Sequence, residues 1–200
     1  MRVAVLDYAV GNLFSITNAL RRLGADAAAT SEPRSLVEAD AIVLPGVGSF
    51  PAAAERLRGL GGLLGDLAGE KPLLGICLGM QLFFEGSVEG GGWTPGLGLL
   101  PGRVEELPPG VKKPHIGWNQ VHPLRDSTLL EDVPPGSYFY FVHSYYAETS
   151  GSHVAAYTEY GVEFPSVVES PPIYGTQFHP EKSGRLGMRV LGNFLREARR

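Results

Sequence analysis

The sequence predicts an α/β fold in which one domain, residues 1–200, is built on a largely parallel, twisted sheet flanked by helices. In the first half, short β-rich apolar runs alternate with helical patterns, which is typical of parallel sheets. From about residue 96 to residue 170 the segments are extended, rich in aromatic residues and separated by proline and glycine, which predicts an antiparallel extension. With 200 residues and 44% hydrophobic content, the chain can bury a substantial core.

Strands and helices alternate in the first half. Three apolar runs predict strands, at residues 3–6, 41–44 and 72–77. Three helices are predicted to follow them, at residues 13–23, 51–60 and 78–85. A turn at Gly11 and Asn12 separates the first strand from the first helix, which Gly24 closes. Ser49 is placed to cap the second helix, with Pro51 at its first position.

Extended segments dominate the second half. Residues 138–142 and 153–157 are the clearest, and we expect them to be antiparallel. Residues 174–179 predict a last strand, and residues 184–199 a final amphipathic helix. The glycine-rich residues 89–95 predict a surface loop rather than a linker between domains.

The composition excludes several function classes. A net charge of −4, from 17 basic and 21 acidic residues, argues against a nucleic-acid-binding face. No apolar stretch approaches the roughly 20 residues that cross a bilayer. A single cysteine excludes an internal disulfide and predicts a reducing, cytoplasmic setting. There is no phosphate loop or nucleotide fingerprint, so no cofactor is expected.

The only cysteine, Cys77, stands in the sequence GICLG between a predicted strand and a predicted helix. A strand that ends in such a turn is a nucleophile elbow. Side chains at Gly75 or Gly79 would collide with neighbouring backbone in so sharp a turn. The amides at the start of the helix favour a thiolate, and the N–H of Leu78 is placed to stabilise an oxyanion. A small buried structural cysteine is the other interpretation of these letters.

A base for this thiol is predicted within the sequence QFHPEKS at residues 177–183. If the segment is extended, His179 and Glu181 share a face about 7 Å apart along the backbone. The carboxylate can then fix the imidazole tautomer while the other ring nitrogen faces the thiol, as in a Cys-His-Glu triad. A surface His–Glu pair of no consequence is the alternative. Metal binding is not supported, because the chain has no HExxH motif and no Cys/His cluster.

The motifs GICLGMQ at residues 75–81 and FHPE at residues 178–181 resemble the two signatures of the class I, triad-type glutamine amidotransferases. This resemblance implies a flavodoxin-like sheet and the hydrolysis of glutamine to glutamate and ammonia. It implies that Cys77 forms a γ-glutamyl thioester. It also implies that His179 protonates the departing amine and then activates water, while Glu181 orients the imidazole.

Over essentially the whole chain, the sequence is similar to one branch of that family, the glutaminase subunits of imidazole glycerol phosphate synthases. The matching segments are LDYAVGNLFSITNAL at 6–20, LPGVGSF at 44–50, HIGWNQV at 115–121, YFVHSYY at 140–146 and GTQFHPEKSGRLG at 175–187. Many members of the wider family carry Pro-Gly-Gly before the helix, where this chain has Pro45-Gly-Val-Gly48, and several carry histidine where it has Met80. Both departures resemble the form that this branch uses.

The resemblance implies roles for further residues. Gly46-Val47-Gly48 resembles the strand that supplies the second oxyanion-hole amide, although a plain turn before a capped helix fits the same letters. Gln81 resembles a residue that helps to bind glutamine. Ser144 and Tyr145 resemble the segment whose backbone holds the α-amino and carboxylate groups of the substrate. We expect His143 to be a satisfied structural histidine.

The acceptor of the ammonia is expected on another chain, because this one has no signature for binding a phosphorylated acceptor. The resemblance implies a heterodimer with a (β/α)8-barrel cyclase subunit, which makes imidazole glycerol phosphate and aminoimidazole carboxamide ribonucleotide in histidine biosynthesis. The residues that match this family's interface are Asn12, Trp118, Tyr140 and Lys182. A turn asparagine, core aromatics and a solvated lysine are the alternatives.

Three other functions remain open at this point. The chain could be the glutaminase subunit of another synthase, such as that for anthranilate or guanylate, but Pro45–Gly48 and Met80 argue against it. It could be a γ-glutamyl hydrolase or a cysteine peptidase on the same scaffold. It could also be a catalytically silent binding module, which the intact Cys77, His179 and Glu181 argue against.

Overall fold

A computed structural model describes residues 1–9 and 12–199 of the chain. The strands are, in chain order, β1 Arg2–Leu6, β2 Asp26–Thr30, β3 Ala41–Gly46, β4 Leu73–Cys77, β5 Gly86–Ser87, β6 Thr94–Pro95, β7 Arg103–Glu106, β8 His115–Pro123, β9 Ser137–His143, β10 Tyr145–Glu148, β11 Val154–Glu159, β12 Glu163–Ser170 and β13 Ile173–Thr176. The helices are α1 Leu13–Arg22, α2 Pro33–Glu38, α3 Phe50–Leu57, α4 Gly61–Ala68, α5 Leu78–Gln81 and α6 Gly184–Glu197, with a 3-10 turn at Pro180–Lys182.

A nine-stranded sheet in the order β2-β1-β3-β4-β13-β12-β11-β8-β9 organises the fold. The first five strands in this order, from β2 as far as β13, are parallel to one another. The remaining four, β12, β11, β8 and β9, are each antiparallel to the strand before them in the order. The parallel part has the flavodoxin-like strand order. A second sheet of four short strands, β10-β7-β5-β6, lies beside it. The predicted α/β class, with an antiparallel extension in the second half, is confirmed.

Helices cover both faces of the parallel strands. On β1, Val3 and Val5 belong to a buried cluster that includes residues of α1 and α6, whereas Leu6 belongs to a second cluster with residues of α3 and α4. Strands buried on both faces carry uninterrupted apolar runs instead of alternation. This burial explains why the parallel strands could be predicted from apolar runs in the sequence.

None of the helices in the described residues is both long enough and apolar enough to span a membrane.

The helix predicted at residues 78–85 is shorter than expected, because α5 ends at Gln81. After Gln81 the chain tightens to i→i+3 bonds, with Phe83 N donating to Met80 O and Phe84 N donating to Gln81 O, and Glu85 N donates to the distant Gly102 carbonyl instead of to Gln81. Long-range hydrogen bonds therefore override the local helical pattern.

Other boundaries differ for local reasons. Strand β3 runs through Pro45, which was predicted to end it, and β1 pairs with β3 only as far as Val43, so the missing proline N–H breaks no ladder there. Helix α3 begins at Phe50 with the Ser49 side chain accepting from Ala52 N at 3.4 Å, and it ends at Leu57. Strand β2 and helices α2 and α4 were not predicted.

The predictions for the second half hold in outline. Residues 138–142 lie within β9 and most of residues 153–157 within β11, both antiparallel to their neighbours. The last strand ends at Thr176, so the prediction that it continues to residue 179 is wrong. Of the turn predicted at Gly11 and Asn12, the first residue lies outside the described residues. Asn12 is the N-cap of α1.

Gly79→Ala is expected to lower the free energy of unfolding by about 3 kcal/mol, because its Cβ would collide with the Leu44 carbonyl oxygen. The matched control is Gly65→Ala within α4, where nothing lies within 4 Å of the new Cβ. That change should raise stability by about 0.5 kcal/mol through the lower entropy of the unfolded chain. Urea denaturation measures both, and equal midpoints for the two variants would contradict the packing argument.

Candidate active site

Cys77 sits at the sharp turn between β4 and α5. Its backbone has φ 54° and ψ −111°, a conformation that side-chain-bearing residues rarely adopt. Glycines make the turn possible, as predicted: a Cβ at Gly75 would come within 2.7 Å of the Met80 backbone, and one at Gly79 would collide with Leu44. The thiol is buried, with 4% of the residue exposed.

The end of β3 packs directly against this turn. Gly46 is the sheet partner of Cys77, and a Cβ on Gly46 would come within 2.8 Å of the Leu78 Cβ and 2.5 Å of the Tyr8 hydroxyl. That hydroxyl donates to the Pro45 carbonyl at 2.5 Å. Gly46, Val47, Gly48 and Leu78, the predicted oxyanion-hole residues, are therefore neighbours around the nucleophile.

His179 and Glu181 form the predicted pair, with Nδ1 and Oε1 2.9 Å apart and both side chains at most 5% exposed. The expectation that an extended strand aligns them is wrong, because Pro180–Lys182 is a 3-10 turn. The turn brings the two side chains together more closely than strand alternation would. The interpretation as an inconsequential surface pair is excluded by this burial.

The charges of the site are coupled. Burial lowers the pKa of the His179 imidazole, but negative charge on Cys77 and then on Glu181 outweighs it and raises that pKa from 6.5 to about 10. His179 Nε2 has no hydrogen-bond partner of normal geometry among the described residues, so it is free to act on a substrate. An imidazolium beside the sulfur favours a thiolate.

The dipole of helix α5 contributes less to stabilising a thiolate at Cys77 than the sequence suggested. Helix α5 has only 4 residues, whereas the macrodipole argument needs several aligned turns. Stabilisation of the sulfur anion therefore rests mainly on His179 and on local donors.

One such donor, Gln177, was missed by the sequence analysis although it lies in the quoted motif. Its Nε2 donates to Cys77 Sγ at 3.5 Å, and its Oε1 accepts from Gln81 Nε2 at 3.0 Å. Gln81 Nε2 also donates to the Tyr145 carbonyl at 2.7 Å. A fully buried amide thus links the nucleophile to two of the predicted glutamine-binding residues.

A pocket of about 230 Å³ opens above the nucleophile. Its walls bring together most of the predicted site, namely Val47, Gly48, Cys77, Leu78, Gln81, Ser144 and Tyr145, together with the unpredicted Glu89, Pro114, Val142 and His143. His143 has hydrogen-bond partners on both ring nitrogens, as expected of a structural histidine. In the described part of the chain, no group of three His, Cys, Asp or Glu residues could hold a metal ion.

Three of the four predicted interface residues form one cluster on the surface. The Trp118 and Tyr140 rings are 6.1 Å apart and edge-on, and Lys182 Nζ lies 5.8 Å from the centre of the Tyr140 ring. Trp118 is 56% exposed, so it is not a core aromatic. Asn12 is exposed, and its side chain accepts from Ser15 N at 3.3 Å, which makes it a helix cap whatever else it does.

The hydroxyl of Ser183, which was not predicted, joins this cluster to the histidine. It donates to the His179 carbonyl at 2.6 Å and accepts from Tyr140 N at 3.0 Å, while His179 N donates to the Tyr140 carbonyl at 2.9 Å. The backbone of His179 is therefore held to the edge strand β9. No signal in the sequence distinguishes this serine from a surface residue.

The arrangement can perform nucleophilic catalysis with acid–base assistance. A thiolate on a strained turn can attack a carbonyl carbon, and a buried imidazolium can protonate the leaving group. Glu181 holds that imidazole through Nδ1, which leaves Nε2 for the reaction.

Comparison with known proteins finds matches over almost the whole chain. The family model of class-I glutamine amidotransferases matches residues 4–198. The chain is 55% identical to the imidazole glycerol phosphate synthase subunit HisH of Methanothermobacter thermautotrophicus, over 96% of this chain and 97% of the relative. It is 47% identical to the subunit of the same name from Archaeoglobus fulgidus, over 99% and 100% of the two chains.

The chain also resembles solved structures in its fold. PurLQS from Thermotoga maritima has a TM-score of 0.77 to this chain at 19% identity, and the match covers 98% of this chain and 97% of that one.

Cys77→Ala is expected to lower the pKa of His179, because the strongest influence that raises it is removed while burial continues to lower it. Glu181→Gln should lower it less, since the influence of Cys77 outranks that of Glu181. Histidine ¹⁵N NMR titration of both variants and the wild type measures the change. If Cys77→Ala left the titration where it is, the sulfur would not be coupled to the ring.

Proposed function

This chain belongs to the class-I glutamine amidotransferase family, and we propose that it releases ammonia from glutamine with the triad Cys77, His179 and Glu181. Its relatives make it the glutaminase subunit of an imidazole glycerol phosphate synthase, in histidine biosynthesis. One observation supports the assignment of the triad above all: a cysteine at φ 54° shares a buried site with a His–Glu pair at 2.9 Å.

The reaction proceeds in two halves. The Cys77 sulfur attacks the side-chain amide carbon of glutamine, and His179 donates a proton from Nε2 to the departing nitrogen, which leaves as ammonia. The γ-glutamyl thioester that remains is attacked by water, from which His179 takes a proton. Cleavage of the thioester bond releases glutamate and restores the thiolate–imidazolium pair, so one water is consumed for each glutamine.

Backbone amides stabilise the tetrahedral intermediates. The N–H of Leu78 follows the nucleophile directly, and the segment Gly46-Val47-Gly48 supplies the second donor. Gly48 has φ +106°, a conformation open to glycine and rarely to other residues, so the segment can place an amide in an unusual direction. Removal of one such donor typically costs about 10² to 10³ in rate.

Glutamine occupies the 230 Å³ pocket beside Cys77. Ser144 and Tyr145 hold the α-amino and carboxylate groups through their backbone, and Gln81 contacts the substrate. Both hydrogens of the Gln81 amide are already donated within the protein, to Tyr145 and Gln177, so Gln81 offers its oxygen to the pocket.

The ammonia passes to a (β/α)8-barrel cyclase subunit docked on the surface that carries Trp118, Tyr140 and Lys182. The outward side of β8 and β9 supports this assignment, because Ile116 and Tyr138 there are 59% and 55% exposed beside Trp118 at 56%. Asn12 borders the same interface. We place the chain in the cytoplasm, where its reactive thiol stays reduced.

The function is tested by the turnover of glutamine to glutamate, first by this chain alone and then with the barrel subunit and its ribonucleotide substrate. We expect low turnover alone and a rise of about tenfold or more in the loaded complex, since ammonia is useful only when the acceptor is bound. Cys77→Ala should lower the rate at least about a thousandfold in both settings. A high rate indifferent to the partner would instead indicate a free-standing hydrolase.

Trp118→Ala is expected to weaken binding of the barrel subunit by about tenfold or more, because exposed aromatics at interface centres contribute most of the affinity. Trp93→Ala is the matched control, since this tryptophan is 55% exposed but lies outside the cluster. Isothermal titration with the barrel subunit measures both affinities. If the two variants bound alike, the docking surface would lie elsewhere.

A further inference from the structure

A line of four hydrogen-bonding groups runs behind the glutamine pocket. Asn119 Nδ2 and His115 Nε2 are 3.3 Å apart, His115 Nδ1 and His143 Nε2 are 3.0 Å apart, and His143 Nδ1 lies 2.9 Å from the Tyr145 carbonyl. The two histidines face each other across β8 and β9. Both are buried, at 3% and 6% exposure.

The chemistry of the last acceptor fixes the direction of every bond in this line. A carbonyl oxygen cannot donate, so His143 Nδ1 carries the proton. A neutral ring then leaves His143 Nε2 as an acceptor, which must receive from His115 Nδ1. His115 Nε2 in turn accepts from Asn119 Nδ2, whose other hydrogen goes to the Glu159 carbonyl at 2.9 Å.

Both rings are neutral at pH 7. Burial lowers the pKa of His143 to about 3 and that of His115 to about 4. The His115 ring is stacked between Tyr160 and Phe141, with centroid distances of 4.0 and 5.0 Å.

The line ends on an oxygen that is already shared with the active site. The Tyr145 carbonyl accepts from His143 on one side and from Gln81 Nε2, at 2.7 Å, on the other. A carbonyl has two lone pairs, so this acceptor is saturated. Gln81 continues through Gln177 to Cys77 Sγ. The Tyr145 peptide is therefore held from two directions, by the histidines and by the amides that reach the nucleophile.

We propose that His115 and His143 are positioning residues for glutamine, which fix the Ser144–Tyr145 backbone through the Tyr145 carbonyl. The inference rests on the proposed function, in which that backbone binds the α-amino and carboxylate groups. His115 does not line the pocket, and His143, which does, has both ring nitrogens bonded within the protein, so neither ring hydrogen-bonds to the substrate or the reacting atoms. Their loss should therefore weaken glutamine binding and leave the chemical step at Cys77 largely intact.

Strand β8 places this line next to the docking surface. His115 and Asn119 point to the buried side of the strand, and Ile116 and Trp118 to its exposed side. A partner that presses on the outer face of β8 thus acts on the same strand that holds the glutamine-binding backbone.

Two variants of His115 separate positioning from a merely structural role. His115→Asn keeps a donor where Nδ1 was, so the bond to His143 survives. His115→Gln keeps a polar group where Nε2 was, so the contact with Asn119 survives and the bond to His143 is lost. Both lose the stacked ring, so both should lower the melting temperature similarly.

In the complex with the barrel subunit, we expect His115→Gln to raise the KM for glutamine about tenfold, with kcat within threefold of wild type. His115→Asn should leave KM within about threefold of wild type. If both variants raised KM equally, or if kcat fell and KM did not, the positioning role would be refuted. If the wild type itself did not hydrolyse glutamine, alone or in the complex, the proposed function would fail as well, which is a distinct result.

Histidine ¹⁵N NMR of the unmodified chain gives a second, independent test at pH 7. We expect His115 and His143 in the neutral form with the proton on Nδ1. A proton on Nε2 of either ring, or a charged ring, would break the line and overturn the inference.

Discussion

The tight packing of strand β3 against the turn after β4 governs the geometry of this site. There is no room for a Cβ on Gly46 or Gly79, because the Tyr8 hydroxyl and the Leu44 carbonyl already occupy that space. As a result, the nucleophile, the amide that follows it and the segment beginning at Gly46 form one packed unit. A change in any one of these backbones must be accommodated by the others, because interiors at this density transmit displacement.

Much of the site was accessible from the sequence because its signals are local. The glycines around Cys77 and the short spacing of His179 and Glu181 are each confined to a few residues. The structure has both the predicted sharp turn and the predicted His–Glu contact, although a 3-10 turn and not a strand brings that pair together. The helix expected at residues 78–85 stops early because the Glu85 N–H bonds to the distant Gly102 carbonyl instead of to Gln81. Gln177 was invisible as a donor to sulfur for the same reason, since its partners Cys77 and Gln81 are 100 and 96 residues away.

The antiparallel part of the sheet connects the His179 backbone to the surface that carries Trp118 and Tyr140. The edge strand β9 is bonded to the His179 backbone through Ser183 and carries Tyr140 on its outer side, while its neighbour β8 carries Trp118 outside and His115 inside. Under the proposed function, a partner on this surface would therefore bear on both His179 and the Ser144–Tyr145 backbone. The parallel strands position Cys77, and the added strands connect its surroundings to the proposed docking surface.

Cys77 has a strained backbone conformation. A side chain at φ 54° and ψ −111° is destabilising by about 1 to 3 kcal/mol, against a total stability of about 5 to 15 kcal/mol for a domain of ordinary size. Glycine would relieve that strain and abolish the nucleophile. In a protein that no longer needed to hydrolyse glutamine, glycine at position 77 would therefore raise the free energy of unfolding. Cysteine at this position therefore costs the fold stability, and the proposed catalytic role of Cys77 is what that cost would serve.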